Sequence, residues 1–151
     1  MKRDDMTGDK DIDSITEQIV DAAVKIHIRL GPGLLESVYE AVLARELERR
    51  GLAVERQKPV MFVYEGMKFE EGFRVDLLVE GCVVVELKSV EKVALVHSKQ
   101  LLTYLRLLHL PVGLLINFGE SLLKDGLHRI ANNYQPPSSA PPRRVNQRVN
   151  P

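Results

Sequence analysis

The sequence has a single cysteine and no tryptophan among its 151 residues, and the scarcity of cysteine excludes several kinds of site. One cysteine, Cys82, cannot form an internal disulfide. It also cannot supply a cysteine-based zinc site or an iron–sulfur cluster. The sequence therefore predicts a protein of a reducing compartment, and we expect the cytoplasm.

Long apolar runs are also lacking, since runs such as residues 82–85 and 112–116 are only the length of a strand. A membrane-spanning helix needs about 20 apolar residues, so we predict no membrane span. Residues 1–13 are acidic and contain no apolar segment, so we predict no signal peptide.

An excess of one charge is missing as well, because 21 basic and 21 acidic residues leave a formal net charge of zero. Nonspecific binding to nucleic acid depends on contacts of lysine and arginine with phosphate, so neutrality weakens any prediction of tight nonspecific binding. Neutrality does not exclude a local basic groove. Near the C-terminus, Arg143, Arg144 and Arg148 could contact phosphate, although such a tail is more often only a solvated end.

Composition divides the chain into one domain and two ends. We predict that residues 1–12 are flexible and that residues 13–134 form a single domain. Residues 135–151 are rich in proline and arginine and cannot bury apolar area, so we predict that they are disordered.

Apolar periodicity predicts three helices and four or five strands. The first helix is expected to begin near Ser14, because Ser14 and Glu17 match a capping box, and to end at Gly31. Further helices are predicted at residues 34–50 and 98–109, and strands at residues 60–64, 73–79, 82–88, 112–117 and 126–131. The order ααβββαβ(β) indicates an α+β or mixed α/β fold with an antiparallel meander, a crossover helix and one more strand.

The second helix has an acidic residue where an apolar stripe is expected. At about 100° per residue, Glu36 lies between the directions of Leu43 and Leu47. A carboxylate removed from water is costly unless it is paired, hydrogen-bonded or bound to a metal. Two interpretations stay open: a site residue, or a glutamate that the helix N-terminus favours and that is half exposed beyond the core.

Charged residues also occur in two predicted strands. Asp76 lies in the second strand, and Glu86 and Lys88 end the third, whose valines indicate a central strand covered on both faces. A bulged loop at residues 79–81 would pair Asp76 with Val84 and put the three charged side chains on one face. The alternative is a surface ion pair at a strand end.

Two carboxylates in this arrangement lie about 7–8 Å apart at Cα, close enough for both to reach one hard cation. A carboxylate set without sulfur suits Mg²⁺ or Mn²⁺ better than zinc. The pattern therefore predicts a Mg²⁺ or Mn²⁺ site on Asp76 and Glu86.

Three further residues each have two interpretations. Gln100 and Tyr104 share a face of the third helix, where they form either a polar flank with a core-edge tyrosine or part of the same site. His27 lies on the apolar face of the first helix. A histidine there is usually a satisfied core residue, but it could also approach the site across the turn before Glu36.

Taken together, these residues resemble the PD-(D/E)XK nuclease superfamily. Asp76 followed by Glu86-x-Lys88 is similar to its D…(D/E)xK signature, and the order of elements is similar to its αβββαβ core with an extra N-terminal helix. Gln100 and Tyr104 resemble the QxxxY motif of its RecB-like and Cas4-like branches.

A second signature lies at the start of the second helix. Gly33, Glu36 and Tyr39 resemble the signature of the GxxExxY protein family, which is placed in the same superfamily. The resemblance covers residues 14–133. It departs at position 75, where Val75 stands in place of the proline of the family name.

The resemblance implies a restriction-endonuclease-like core and a metal site. Asp76, Glu86 and the backbone carbonyl of Leu87 would hold Mg²⁺ or Mn²⁺, and Glu36 would complete the acidic set, directly or through water. Lys88 would position the attacking water and help to deprotonate it.

The remaining residues have supporting roles in this resemblance. Gln100 and Tyr104 would orient the active-site groups or contact the nucleic-acid backbone, and His27 and Tyr39 would assist. Weaker contacts with nucleic acid are expected from Lys99, Arg143 and Arg144.

The implied function is metal-dependent hydrolysis of phosphodiester bonds in DNA, or in RNA. The first alternative is a non-catalytic nucleic-acid-binding or regulatory module on the same fold, which neutrality and small size favour. The second is a structural or interaction protein whose polar residues form ion pairs. We expect nucleic acid as the partner, DNA more than RNA, no membrane, and a homodimer or partner protein that strengthens the grip.

Overall fold

The computed structural model describes residues 8–136, apart from the side chains of residues 8–11 and Glu71. A short 3₁₀ helix, Leu123–Gly126, precedes the last strand. The helices and strands, in chain order, are α1 (Gly8–Leu30), α2 (Glu36–Arg49), β1 (Val54–Tyr64), β2 (Met67–Val79), β3 (Val83–Lys88), α3 (Leu95–Leu108), β4 (Val112–Asn117) and β5 (Leu127–Ala131). This order confirms the predicted mixed fold of an antiparallel meander, a crossover helix and a further strand.

One sheet of five strands, in the order β1-β2-β3-β4-β5, forms the middle layer. Neighbouring strands are antiparallel except β3 and β4, which are parallel because α3 carries the chain back between them. One face of the sheet packs against α1 and α2, through residues such as Val85 and Leu43. The other face packs against α3, where Leu101 and Leu105 join the core around Val84.

Helix α1 begins at Gly8, so the predicted start at Ser14 is wrong. The apolar spacing continues upstream of Ser14, since Ile12 and Ile15 are both buried. Their burial stabilises the additional helical turns, and the Ser14–Glu17 pair therefore lies inside the helix instead of capping it.

The two predicted flexible ends lie largely outside the described residues. Residues 1–7 and 137–151 are not described, and Arg143 and Arg144 are among them, whereas residues 8–12 are helical. Within residues 8–136, no helix combines the length and the apolarity needed to cross a bilayer.

The turn between β2 and β3 differs from the prediction by two positions in register. Val79 pairs with Val83, so the loop is residues 80–82 rather than residues 79–81. The Cys82 N–H donates to the Val79 carbonyl at 3.1 Å, which closes a tight turn and leaves Cys82 as the additional residue before β3. The predicted register is therefore wrong.

Asp76 and Glu86 nevertheless lie on the same face of the sheet, as predicted, because side chains alternate along a strand with a period of two. Continued from the pair Leu77 and Val85, the observed register puts Asp76 across from Glu86 rather than from Val84. A shift by one residue would have moved the two acids to opposite faces.

Candidate active site

The β2–β3 ladder ends at Leu77 and Val85, and beyond this pair side chains replace the backbone as hydrogen-bond partners. The Asp76 N–H donates to Oε1 of Glu86 at 3.2 Å. In return, the Leu87 N–H donates to Oδ2 of Asp76 at 2.8 Å. Two carboxylates therefore lie side by side where the strands part, and each is held by a backbone N–H of the other strand.

Burial and the negative charges of nearby acids raise the pKa of both acids and disfavour their ionised forms. The pKa of Glu86 is raised to about 8, mainly by burial and then by the charge of Asp76, although the Asp76 N–H and Lys88 oppose the rise. Burial also raises the pKa of Asp76, while hydrogen bonds from the Leu87 N–H and Gln57 lower it. A cation would relieve both effects, so the pair is suited to binding one.

Lys88 ends β3 and is half-buried. It lies on the same strand face as Glu86, because residues two apart along a strand point to the same side. Its positive charge lowers the pKa of Glu86, so the lysine and the acid interact. An ammonium group is thereby available next to the two carboxylates.

Tyr104 approaches the acidic pair from α3. Its ring stacks on Phe73, with centroids 3.8 Å apart and planes 7° from parallel. The pKa of its hydroxyl is raised by burial and then by the charges of Glu86 and Asp76. Gln100, one helical turn earlier, and the neighbouring Lys99 are both exposed.

Glu36 is exposed, so the interpretation that it lies within the buried stripe of α2 is wrong. Helix α2 begins at Glu36 itself, and the buried stripe begins later, at Tyr39. The side chain therefore lies in the first turn, where the helix dipole favours an acid. It also borders a small cavity of about 170 Å³, together with Ser37, Glu40, Gln57, Asp76 and Leu87.

Glu40 and Gln57 were not predicted from the sequence, although both border this cavity. Glu40 follows Glu36 by four residues and therefore lies on the same helix face, so helical spacing could have identified it. The Glu40 carboxylate is buried and accepts hydrogen bonds from Arg56 and Gln57. Gln57 in turn donates to Oδ1 of Asp76 at 3.2 Å, which links the helix to the acidic pair.

Tyr39 holds the loop between α1 and α2. Its hydroxyl donates to the Gly31 carbonyl at 2.5 Å and accepts from the Leu34 N–H at 3.2 Å. Its ring stacks on Phe118 with centroids 4.3 Å apart. The Ser89 hydroxyl donates to the Leu34 carbonyl at 2.6 Å, so the same loop is tied to the end of β3. Tyr39 thus fixes the loop that leads into α2.

His27 is buried, and one ring nitrogen, Nε2, lies 2.8 Å from the Glu120 carbonyl. Its ring is next to Phe118, with centroids 6.3 Å apart. It does not line the cavity at Glu36 and Asp76. The structure therefore favours the interpretation of His27 as a hydrogen-bonded core residue.

Asn117, at the end of β4, is a further residue that the sequence analysis did not single out. Its fully buried amide accepts from the N–H groups of Val90 and Gly119 and donates to the Val90 carbonyl. Any larger residue in place of Gly119 would clash with this segment, since an added Cβ would lie 2.1 Å from the Val90 carbonyl oxygen. The amide therefore fixes the segment that follows Lys88.

The donor chemistry of Asp76 and Glu86 fits a hard divalent ion, since Mg²⁺ is usually bound through one or two carboxylates and keeps several waters. Among the side chains that the structure describes, no group of three His, Cys, Asp or Glu residues is arranged to hold a metal ion. The predicted convergence of Glu36 with the other two acids is therefore not formed, and a site of two carboxylates remains.

Comparison with known proteins agrees with this geometry. A family model described as the PD-(D/E)XK nuclease superfamily matches residues 13–130, which is more than half of the chain. No curated protein sequence and no solved structure gives a significant match.

Proposed function

Because the chain belongs to the PD-(D/E)XK nuclease superfamily, we propose that it is a divalent-metal-dependent nuclease that hydrolyses phosphodiester bonds of DNA or RNA. The observation that carries this proposal is the pair of part-buried carboxylates, Asp76 and Glu86, where β2 and β3 part. Two acids that repel each other destabilise a fold unless something binds between them, and strongly shifted carboxyl groups cluster at functional sites.

Asp76, Glu86 and the backbone carbonyl of Leu87 are the proposed ligands of Mg²⁺ or Mn²⁺. When bound, the ion would lower the pKa of a water and offset negative charge in the transition state. Glu36 borders the adjoining cavity and is proposed to act on the site through a water rather than by direct contact.

Lys88 is proposed to hold the attacking water and to offset the charge of the scissile phosphate. Its position beside Glu86 supports this role, because an ammonium group there can face the phosphate. Tyr104, which faces the acidic pair, and Gln100, one turn earlier, are proposed to orient these groups or to contact the nucleic-acid backbone. Lys99 is proposed to add a weaker contact.

Within the superfamily, we assign the chain to the GxxExxY group on Gly33, Glu36 and Tyr39. Gln100 and Tyr104 support a relation to the RecB-like and Cas4-like branches. Cys82 is the single cysteine of the sequence, so this chain lacks the set of cysteine ligands that the iron–sulfur cluster of Cas4-like enzymes requires.

The proposed partner is nucleic acid in the cytoplasm, with DNA favoured over RNA. A neutral chain has little electrostatic attraction for phosphate, so a homodimer or a partner protein is proposed to strengthen the grip.

Nuclease assays with Mg²⁺ and Mn²⁺ on single- and double-stranded DNA and RNA test the proposal. We expect cleavage that EDTA abolishes and that an Asp76→Ala variant lacks after the same purification. The matched inactive variant excludes a contaminating nuclease. No cleavage of any of the four substrates, together with no calorimetric signal of metal binding, would contradict the proposal.

A non-catalytic nucleic-acid-binding or regulatory module is the second candidate. One observation favours it: among the side chains that the structure describes, no three acidic, histidine or cysteine residues form a metal-binding group. This function predicts that nucleic acid binds equally well with and without EDTA and is never cleaved. Fluorescence anisotropy on the substrates of the nuclease assay separates the two functions.

A further inference from the structure

A chain of hydrogen bonds runs from Arg56 through Glu40 and Gln57 to Asp76. Residue Glu40 is only 5% exposed, and a buried charge is stable only when it is paired. Arg56 supplies the pair, since its Nε and Nη2 donate to Oε2 of Glu40 at 3.3 and 3.0 Å. Gln57 Nε2 donates to the other oxygen, Oε1, so both oxygens of Glu40 are occupied.

Gln57 donates to Asp76 through the same amide nitrogen, with 3.2 Å between Nε2 and Oδ1. An amide nitrogen has two hydrogens, so it can serve both acids. A carboxylate paired with arginine only accepts, and it therefore selects the nitrogen rather than the oxygen of the amide. Glu40 thereby determines which group Gln57 presents to Asp76.

The backbone at Gln57 is strained at the position opposite Asp76. Its φ is +50°, in the left-handed region that residues other than glycine rarely adopt. The β1–β2 register passes from Arg56 to Lys58 without pairing Gln57. Strain of this kind persists only where the surrounding structure holds it, and it is concentrated at functional sites.

We infer that Glu40 and Gln57 are a positioning pair that holds the Asp76 carboxylate in its metal-binding orientation. The inference rests on the proposed metal-dependent nuclease function. Asp76 Oδ2 accepts from the Leu87 N–H and Oδ1 accepts from Gln57, so the carboxylate cannot rotate without breaking a bond. Among the described residues, the hydrogen bonds that link Glu40 to Asp76 run through Gln57, so the proposed role of Glu40 is orientation rather than ligation.

The first test is Gln57→Leu, which removes both donated bonds from an exposed side chain and should leave the folded state intact. We expect its calorimetric affinity for Mg²⁺ and its kcat to fall about 10-fold or more, the usual effect of losing a partner of a metal ligand. KM for nucleic acid should stay near the wild-type value. Unchanged metal affinity and kcat would overturn the inference.

The matched control is Glu55→Gln, an exposed residue on the same strand whose partner is Lys58. This variant replaces an acid by an amide two positions from Gln57, at a side chain that pairs with Lys58 and not with Asp76. We expect wild-type metal affinity and kcat. A loss equal to that of Gln57→Leu would mean that any change in β1 disturbs the site, and it would overturn the specific role of Gln57.

A double-variant cycle tests whether the two residues act together. If Glu40 works through Gln57, then Glu40→Gln combined with Gln57→Leu should lose no more metal affinity than Gln57→Leu alone. Independent, multiplying losses would overturn the pair.

Side-chain NMR couplings of Asp76 in the metal-free protein report its orientation without any need for catalysis. We expect a single rotamer in the wild type and averaged rotamers in Gln57→Leu. If the variant keeps a single rotamer, the positioning inference fails, whether or not the wild type cleaves. If rotamers average but the wild type neither binds metal nor cleaves, the nuclease proposal fails and the positioning of Asp76 stands.

Discussion

Two groups of polar contacts meet near the end of β3, and they differ in charge. In the loop before α2, the neutral hydroxyl of Tyr39 bonds the backbone at Gly31 and Leu34. Where β2 and β3 part, Asp76 and Glu86 face each other, and the charge of Asp76 raises the pKa of Glu86. Ser89 connects the two regions, since it follows β3 and bonds the loop.

The difference separates a structural role from a functional one. Buried side-chain N and O atoms all have partners among the described residues, so neither region contains an unsatisfied group. The loop therefore gains stability from its hydrogen bonds, whereas two acids in contact lose stability through repulsion even when they are hydrogen-bonded. A costly arrangement of this kind indicates that a ligand, and not the fold, requires it.

The largest effect is expected from Asp76→Asn, which keeps the shape of the side chain and removes its charge. Loss of a metal ligand should lower cleavage about 1000-fold, equivalent to about 4 kcal/mol of transition-state stabilisation. Stability should stay equal or rise, because the repulsion of Glu86 is removed. Single-turnover cleavage and urea unfolding at pH 7 measure the two quantities.

Asp125→Asn is the matched control for that variant, since Asp125 is an exposed aspartate in the 3₁₀ helix. It should retain wild-type cleavage. Full activity of Asp76→Asn, or a loss of activity accompanied by a comparable loss of stability, would remove the distinction between the two regions.

The second effect is a dependence of stability on pH in the metal-free protein. Because the folded-state pKa of Glu86 is raised from 4.5 to about 8, its contribution to stability is present below pH 4.5 and is lost as the pH rises towards 8. At about 1.4 kcal/mol per pKa unit, the loss amounts to a few kcal/mol. Urea unfolding in EDTA at pH 5, 7 and 9 measures it.

Glu86→Gln should remove most of this loss, because a neutral amide does not ionise. Glu91→Gln, a matched change at an exposed residue, should keep the wild-type dependence. Parallel curves of unfolding free energy against pH for wild type and Glu86→Gln would contradict a raised pKa of Glu86 in the folded protein.

The third effect belongs to the loop. Tyr39→Phe keeps the stacking on Phe118 and removes the hydroxyl that joins Gly31 and Leu34. We expect a loss of about 1–2 kcal/mol in unfolding free energy, the usual effect of one or two hydrogen bonds whose backbone partners can reach water. Metal affinity should change little. If metal affinity falls as far as it does in Asp76→Asn, the loop is part of the site.

Sequence periodicity was enough for much of the architecture, and the reasons are local. β4 has the predicted bounds because a continuous apolar run between Pro111 and the turn after Asn117 is buried on both faces. The grouping of Asp76 with Glu86 on one face also followed, since an error of two in register does not change the face.

Features that depend on backbone conformation or on distant packing could not be predicted in this way. Glu80 and Gln57 both have left-handed φ, and nothing in a glutamate or glutamine indicates this before the fold is known. Residue Glu80 determines the turn that shifted the register, and Gln57 determines the link to Asp76. The start of α2 at Glu36 is different: helical spacing alone placed this acid in the core, although the stripe begins one turn later.

The smallest effect is expected from Glu36→Gln, and it tests the division of roles along α2. Glu36 is exposed at the helix N-terminus, and losing its charge there should lower stability by less than about 1 kcal/mol. Its charge also raises the pKa of Asp76, as a lesser cause than burial, so removing it slightly favours the ionised acid. Cleavage should therefore fall no more than about 10-fold, the lower end of the range for residues one step removed from a metal. Loss of cleavage as complete as in Asp76→Asn would mean that Glu36 reaches the metal when substrate is bound, and the site would then need three acids rather than two.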